Sequence, residues 1–239
     1  MMSMYAEFSY YYEMVFPFRP EVHSFLKEYI NRRGQKILDI GCGSGHYTRA
    51  LAEDGFAAIG IDLDGDMIES ARTKYPGARF FLMNMLDIDR LKTKFNLIFA
   101  IGNVIAHIPQ SELINFLKKV RDCLHPNGYW VFQVVNWDYI LKTTTYTFPV
   151  KQIGTADFEF HREYDPISSE KVTFKTCLKS GDDILFTESV PLYPVNSADY
   201  IRRHREMGFK LAGHYADFQK KRYVTHLDKA NIFVYQIKS

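Results

Sequence analysis

The string ILDIGCGSG (37–45) is an apolar run broken by Asp39 and closed by Gly41, Gly43 and Gly45 at alternate positions. Residues without a Cβ at a strand-to-helix turn let a ligand touch the main chain. Dinucleotide sites set their glycines at loop positions 1, 3 and 6 and seat a pyrophosphate on the following helix. Here the glycines fall at 1, 3 and 5, and Asp39 stands two residues ahead of the first. A carboxylate at that place repels a pyrophosphate but can hold an ammonium group. No Gly-Lys-Ser/Thr follows, which excludes a P-loop. The expected ligand is therefore a nucleoside with a positively charged amino-acid arm. Cys42, between two glycines, reads as a small spacer, since no histidine is placed to activate it.

Other residues extend this pattern. Asp62 closes the next apolar run and can accept both hydroxyls of a ribose. Leu63 and Met67 follow it as expected cofactor contacts. In NMLD, Asn84 can bond an adenine edge and Met85 can cover its face, although Met85 serves equally well as a core filler. Asn103 offers a donor and an acceptor at a strand end, which suits an orienter of substrate. His107 is the one candidate base near that strand, with a cap or cofactor contact as its other reading. Tyr193 is either a pocket hydroxyl or a packing ring.

These residues need a frame. Pro20 opens a helical pattern through Val22, Phe25, Leu26, Tyr29 and Ile30, which Gly34 stops. KILDI, AAIGIDLD, ARFFLMNM, FNLIFAIGN and YWVFQVVN read as strands. HYTRALAEDG, DGDMIESARTKY and SELINFLKKVRDCL read as helices between them, and HPNG as a turn. Near-continuous apolar strands alternating with helices predict a doubly wound α/β domain whose parallel sheet is covered on both faces. From 141 to 195 the period drops to two, which predicts an antiparallel meander of about three strands. A meander of this size does not fold alone, so it should pack on the sheet as a lid. A helix from Ser197 to Met207 and strands at FKLAGHYA and NIFVYQIK return to the first pattern. The expected organisation is a cofactor-binding core with an N-terminal helical cap over 1–140, a lid over 141–195, and a segment completing the core over 196–239.

Composition narrows the function classes. The chain has 239 residues, 46% hydrophobic and 24% charged, with a formal charge of +2. That balance gives no general reason to expect nucleic acid, because polyanion binders concentrate Lys and Arg. The local run from IRRHREMGFK to KKRY is the one exception, and it reads more simply as a solvated face. Three cysteines, Cys42, Cys123 and Cys177, form no CxxC pair and fit no zinc spacing, so no metal is expected and a reducing cytoplasm fits. No membrane span or signal peptide is read from the sequence. Tyrosines at 10 to 12 suit a small-molecule pocket as well as packing.

LDIGCGSG, Asp62, NMLD, FNLIFAIGN, LHPNGYWVF and GFKLAGHY, in this order, resemble the class I S-adenosylmethionine-dependent methyltransferases over nearly the whole chain. The resemblance implies a mainly parallel seven-stranded sheet with a final antiparallel strand, and the sulfonium cofactor at the glycine loop. AIGNVIAHIP, NWDYIL and LYPVNSADY after the lid are similar to stretches of glycine N-methyltransferases, and sugar-amine N-methyltransferases share the layout. By that similarity Arg19 would meet the cofactor carboxylate, and Ile101 and His107 would line the cofactor pocket. Asn103 and Tyr193 would face the substrate, and Tyr11 or Tyr12 would close over the methyl group. Glycine-methylating members carry an arginine where this chain has Val135, which cannot make a bidentate ion pair with a carboxylate. An amine without a carboxylate becomes the expected acceptor. A small-molecule O-methyltransferase, a non-catalytic cofactor-binding regulator and an RNA methyltransferase resting on 202 to 222 stay open. Oligomeric state is not readable.

Overall fold

The five apolar segments read as buried strands form one parallel block. The computed structural model describes residues 11–154 and 158–237, so Tyr10 lies outside the described residues. The first half supplies β1 (Lys36–Ile40), β2 (Ala57–Asp62), β3 (Arg79–Leu82), β4 (Phe95–Ala100) and β5 (Leu124–Val135). Next come β6 (Tyr146–Thr147), β7 (Lys151–Ile153), β8 (Phe158–Ile167), β9 (Val172–Ser180) and β10 (Asp183–Leu192). The chain ends with β11 (Phe209–Tyr215) and β12 (Ala230–Ile237). The helices are α1 (Pro20–Lys27), α2 (His46–Glu53), α3 (Gly65–Lys74), α4 (Leu113–Asp122), α5 (Trp137–Ile140) and α6 (Ser197–Glu206).

Seven strands form the main sheet in the order β11-β12-β5-β4-β1-β2-β3. β1 to β5 pair in parallel, and β12 runs antiparallel between β5 and β11. The expected doubly wound sheet with its final antiparallel strand is thus present. Alternation along each strand sends side chains to opposite faces. Ile37, Leu97, Phe99 and Val131 pack with Val22, Phe25 and Leu26 of α1 and Leu51 of α2. Leu38, Ile98, Trp130 and Phe132 pack with Leu113, Phe116 and Val120 of α4 and Tyr200 of α6. Successive strands depart from β1 in both directions, so the loop after β1 lies at the switch point where ligands bind in such sheets.

Three boundaries differ from the sequence reading for local reasons. β3 stops at Leu82, because Asn84 accepts the Leu86 N–H and starts a 3₁₀ turn over Met85–Leu91. β4 stops at Ala100, because Gly102 and Asn103 both take positive φ. HPNG is a bulge inside β5: its partners shift from Phe95↔Leu124 to Leu97↔Tyr129, with Asn127 left-handed.

The period-two region is a second, antiparallel sheet in the order β10-β9-β8-β6, with β7 also on β8. It holds the three long strands expected and two short ones. Along β10, Phe186, Glu188, Val190 and Leu192 are covered while Thr187, Ser189 and Pro191 are exposed, so one face of the sheet looks inward. The inner face is apolar at both ends. Phe160, Leu178 and Phe186 cluster with Val15 beside the helical turn at 11–15, and Tyr164, Val172 and Leu192 join the main core. No helix among the described residues is long and apolar enough to cross a membrane. Part of the basic run is paired with acids: Arg202 with Asp199 and Glu206, Lys220 with Glu28, and Lys221 with Asp228.

Candidate functional site

The glycine loop leaves β1 and enters α2 with Gly41, Gly43 and Gly45 at φ of 71°, 52° and 85°. Side chains at these angles are strained, and at Gly43 a Cβ would also lie 2.7 Å from the Tyr12 hydroxyl oxygen. Tyr12 therefore covers the loop, and its phenol is pushed far up by burial and then by Asp62. The loop amides are already bonded. Gly41 and Cys42 donate to Ile61 O, Gly45 to Cys42 O, and Gly43 to Asp62 Oδ2 at 2.8 Å. A phosphate nest needs free N–H groups, so this loop is built for a different charge.

Two acids stand beside the loop. Asp39 is buried on β1, where Thr48 Oγ1 of α2 donates to it at 2.7 Å. Burial pushes its carboxyl up to about 7, against the opposing Thr48 bond and with a smaller contribution from Asp62. Asp62 ends β2, half-buried, and accepts from Gly43 N and Asp64 N. Its pKa is raised by burial, opposed by those backbone donors. Among the described residues no Lys or Arg pairs with either acid. Two buried carboxylates without a cation fit a sulfonium nucleoside with an ammonium arm and free ribose hydroxyls.

A cavity of about 530 Å³ lies between this loop and the inner face of the second sheet. Of the residues expected to contact the cofactor, Tyr12, Arg19, Gly41 and Ile101 line it, while Asp39, Cys42, Gly43, Gly45, Asp62, Leu63, Met67, Asn84 and Met85 do not. Arg19 is half-exposed, paired with Glu21 at 2.7 Å and set over the Phe218 ring at 5.6 Å. Leu63 is 68% exposed beside Asp62, an apolar side chain held in the open at the ribose end. Met67 is buried on α3, whose first turn Asp64 caps. Asn84 uses its amide oxygen as a cap, and Met85 packs against the main core. Cys42 is buried and its thiol is raised well above the usual range by burial, which leaves it inert.

The three residues read as acting on substrate meet at one 3₁₀ turn, Val104–His107, with Asn103 at its start, His107 at its end and Tyr193 bonded to it. Asn103 Oδ1 accepts Val135 N–H at 3.1 Å, and Asn103 N donates to Gln133 O. Tyr193 N donates to Ala106 O at 2.7 Å, which pins the end of β10 to the 3₁₀ turn Val104–His107. His107 has an exposed side chain, and the surrounding protein lowers its pKa by desolvation. None of the three is among the residues lining the cavity. Val135 bonds Asn103, and Asn136 is a buried cap held by Thr225 O and Asp228 O, so NWD has a structural task here.

Several lining residues escaped the sequence reading. His46 and Tyr47 open α2 and line the cavity beside Arg19. Gln133, from β5, accepts Gly102 N at 2.8 Å and fixes the loop after β4. Thr176 and Glu188 come from the second sheet. Period two does carry a signal for this pair, since each takes an inward position between two apolar residues: Phe174 and Leu178, Phe186 and Val190.

Comparison with known proteins agrees with this geometry. Residues 37–128, from β1 into β5, match the family described as methyltransferase domain. The chain is 30% identical over 125 residues to glycine N-methyltransferase of Mus musculus, covering 45% of this chain and 43% of that protein. It is 23% identical over 143 residues to the ubiquinone biosynthesis O-methyltransferase of Coxiella burnetii, covering 56% of this chain and 60% of the relative. Across its first matches the chain spans 43% to 63% of the curated relatives' length. A crystal structure of an S-adenosylmethionine-dependent methyltransferase from Clostridium acetobutylicum superposes with a TM-score of 0.81 at 16% identity, covering 99% of this chain and 100% of that one. Residues 37–128 thus match a methyltransferase-domain family, in a chain whose fold is similar to that of an S-adenosylmethionine-dependent methyltransferase.

Proposed function

We propose that this chain is an enzyme that methylates a small molecule, at an amine nitrogen, with S-adenosylmethionine as methyl donor. One observation carries the reading: Asp39 and Asp62, both with raised pKa and no basic partner among the described residues, flank a glycine loop whose amides are already bonded. Asp39 would hold the ammonium of the cofactor, Asp62 its ribose hydroxyls and Arg19 its carboxylate. Leu63, Met67, Asn84 and Met85 would surround the base, and Ile101 and Tyr12 would close the cavity wall. When bound, the cofactor supplies an already activated methyl group.

The protein's own task is then alignment and exclusion of water, which supplies roughly 7–11 kcal/mol in favourable systems. Tyr12 over the loop and the second sheet opposite it shut water out. Asn103, with its amide oxygen held by Val135 N–H, keeps its amide nitrogen for an acceptor. Tyr193 N is bonded to the turn that carries His107, whose pKa desolvation lowers, which makes its imidazole a weaker proton acceptor. Val135 in place of an arginine favours an acceptor without a carboxylate, and the glycine N-methyltransferase similarity favours nitrogen. Similarity to an O-methyltransferase supports a hydroxyl acceptor as the second reading.

Incubation with methyl-labelled S-adenosylmethionine and a panel of amines, amino sugars and phenols tests this. Label transferred to amines supports the first reading, and label only on hydroxyls the second. Binding of the nucleoside without transfer to any member would leave a regulatory protein.

A further inference from the structure

The register of the second sheet places one polar rung between two apolar ones. Arg162 on β8 pairs with Thr176 on β9, which pairs with Glu188 on β10. One step along, Phe160, Leu178 and Phe186 form an apolar rung, and Tyr164, Phe174 and Val190 form another on the opposite side. Both flanking rungs face inward and are explained by packing. The polar rung is not.

Its members have different fates. Arg162 lays its guanidinium over Phe148 at 4.9 Å and Phe160 at 5.7 Å, with its Nε buried and without a hydrogen-bond partner among the described residues. Thr176 is 9% exposed, and its hydroxyl is buried without a hydrogen-bond partner among the described residues. A buried hydroxyl left so costs about 1–3 kcal/mol, a cost a bound ligand removes. Glu188 is half-buried, and no ion pair or hydrogen bond to it is made among the described residues. Burial and then Asp64 raise its pKa. Both Thr176 and Glu188 line the same cavity as Gly41, with Phe160 and Phe174 beside them.

We infer that Glu188 and Thr176 form the acceptor subsite, in which the carboxylate and the hydroxyl together hold the amino group of a cationic amine whose carbon skeleton lies against Phe160 and Phe174. The pair selects amines over isosteric alcohols and presents the nitrogen toward the glycine loop. The ammonium gives one proton to the Glu188 carboxylate before its lone pair can form the N–C bond as the C–S bond breaks. This assignment deepens the amine reading and rests on it for the reaction, but not for binding.

The test is a titration of the protein, with S-adenosylhomocysteine present and absent, with benzylamine and with benzyl alcohol. Wild type, Glu188→Gln and Thr176→Val are compared by calorimetry and by melting temperature. Benzylamine should bind wild type more tightly than benzyl alcohol. Glu188→Gln should weaken the amine about tenfold or more and leave the alcohol within about twofold, the loss expected of a charge-assisted bond. Thr176→Val should weaken the amine about threefold without lowering the melting temperature, because the hydroxyl makes no bond within the protein. A loss of amine binding that tracks a fall in melting temperature would make Thr176 structural and overturn its role. Benzylamine failing to bind wild type, binding no better than the alcohol, or binding Glu188→Gln equally well would overturn the subsite. Failure of S-adenosylhomocysteine to bind would instead overturn the methyl-donor reading, and the titration without nucleoside still decides the subsite.

Discussion

The two walls of the cavity are made in different ways. On the glycine-loop side Gly41, His46 and Tyr47 line the cavity, and Asp39 on β1 and Asp62 at the end of β2 adjoin the loop without lining it, so these parts come from two short stretches of sequence. The opposite wall is made of single side chains on three antiparallel strands, brought side by side only by register. A wall of the first kind can serve one fixed ligand whatever the rest of the chain does. A wall of the second kind changes its chemistry with one substitution and leaves the fold intact. The division suits a constant methyl donor on one side and a particular acceptor on the other.

If that division holds, changes on each wall should register in different measurements. Asp62→Ala should have the largest effect, lowering affinity for S-adenosylmethionine roughly hundredfold, since it removes the ribose partner and also frees Gly43 N–H and Asp64 N–H. Calorimetry checks it, and an unchanged affinity would break the comparison. Gly43→Ala should cost about tenfold in donor affinity and about 1 kcal/mol in stability, through its positive φ and its collision with Tyr12. Asn103→Ala should lower turnover about tenfold with donor affinity held within about twofold, because its amide serves the acceptor and the end of β5. Steady-state kinetics beside calorimetry separate the two quantities.

A further test varies pH and leaves the residues unchanged. Asp39 in the free folded chain titrates near 7, well above the ordinary value of 3.8. Between those values the folded chain holds a proton that the unfolded chain has released, so the free protein loses stability as pH rises through this window. An ammonium arm bound at Asp39 favours the carboxylate and expels that proton. Donor affinity should then rise as pH goes from about 4 to 7, by at most about tenfold per unit, and level off above. Titrations in buffers of different ionisation enthalpy would show proton release on binding.

The same division explains what could be read from the sequence. ILDIGCGSG and Asp62 were legible because a ligand touching backbone forces glycine at particular positions, and local constraints of that kind leave a local string. The parallel sheet was legible because its strands are buried on both faces. Asn84 was legible as a chemical group but not in its task, since an amide at a strand end can cap a turn as readily as meet a base. Gln133, Thr176 and Glu188 were not singled out, because each reaches the cavity through pairings with distant residues, whereas His46 adjoins the glycine loop and carried no signal of its own. Glu188 came nearest to being visible, as an acid at an inward position of an alternating strand. Its partner Thr176 could be known only once β9 and β10 were in register.

Calorimetric titration with S-adenosylhomocysteine puts the division of labour to its hardest trial. One molecule should bind per chain, with heat largely lost in Asp62→Ala and affinity kept within about threefold in Glu188→Gln, since only the first removes a bond to the nucleoside. No heat with this nucleoside while NAD binds well, or equal affinity in wild type and Asp62→Ala, would contradict it.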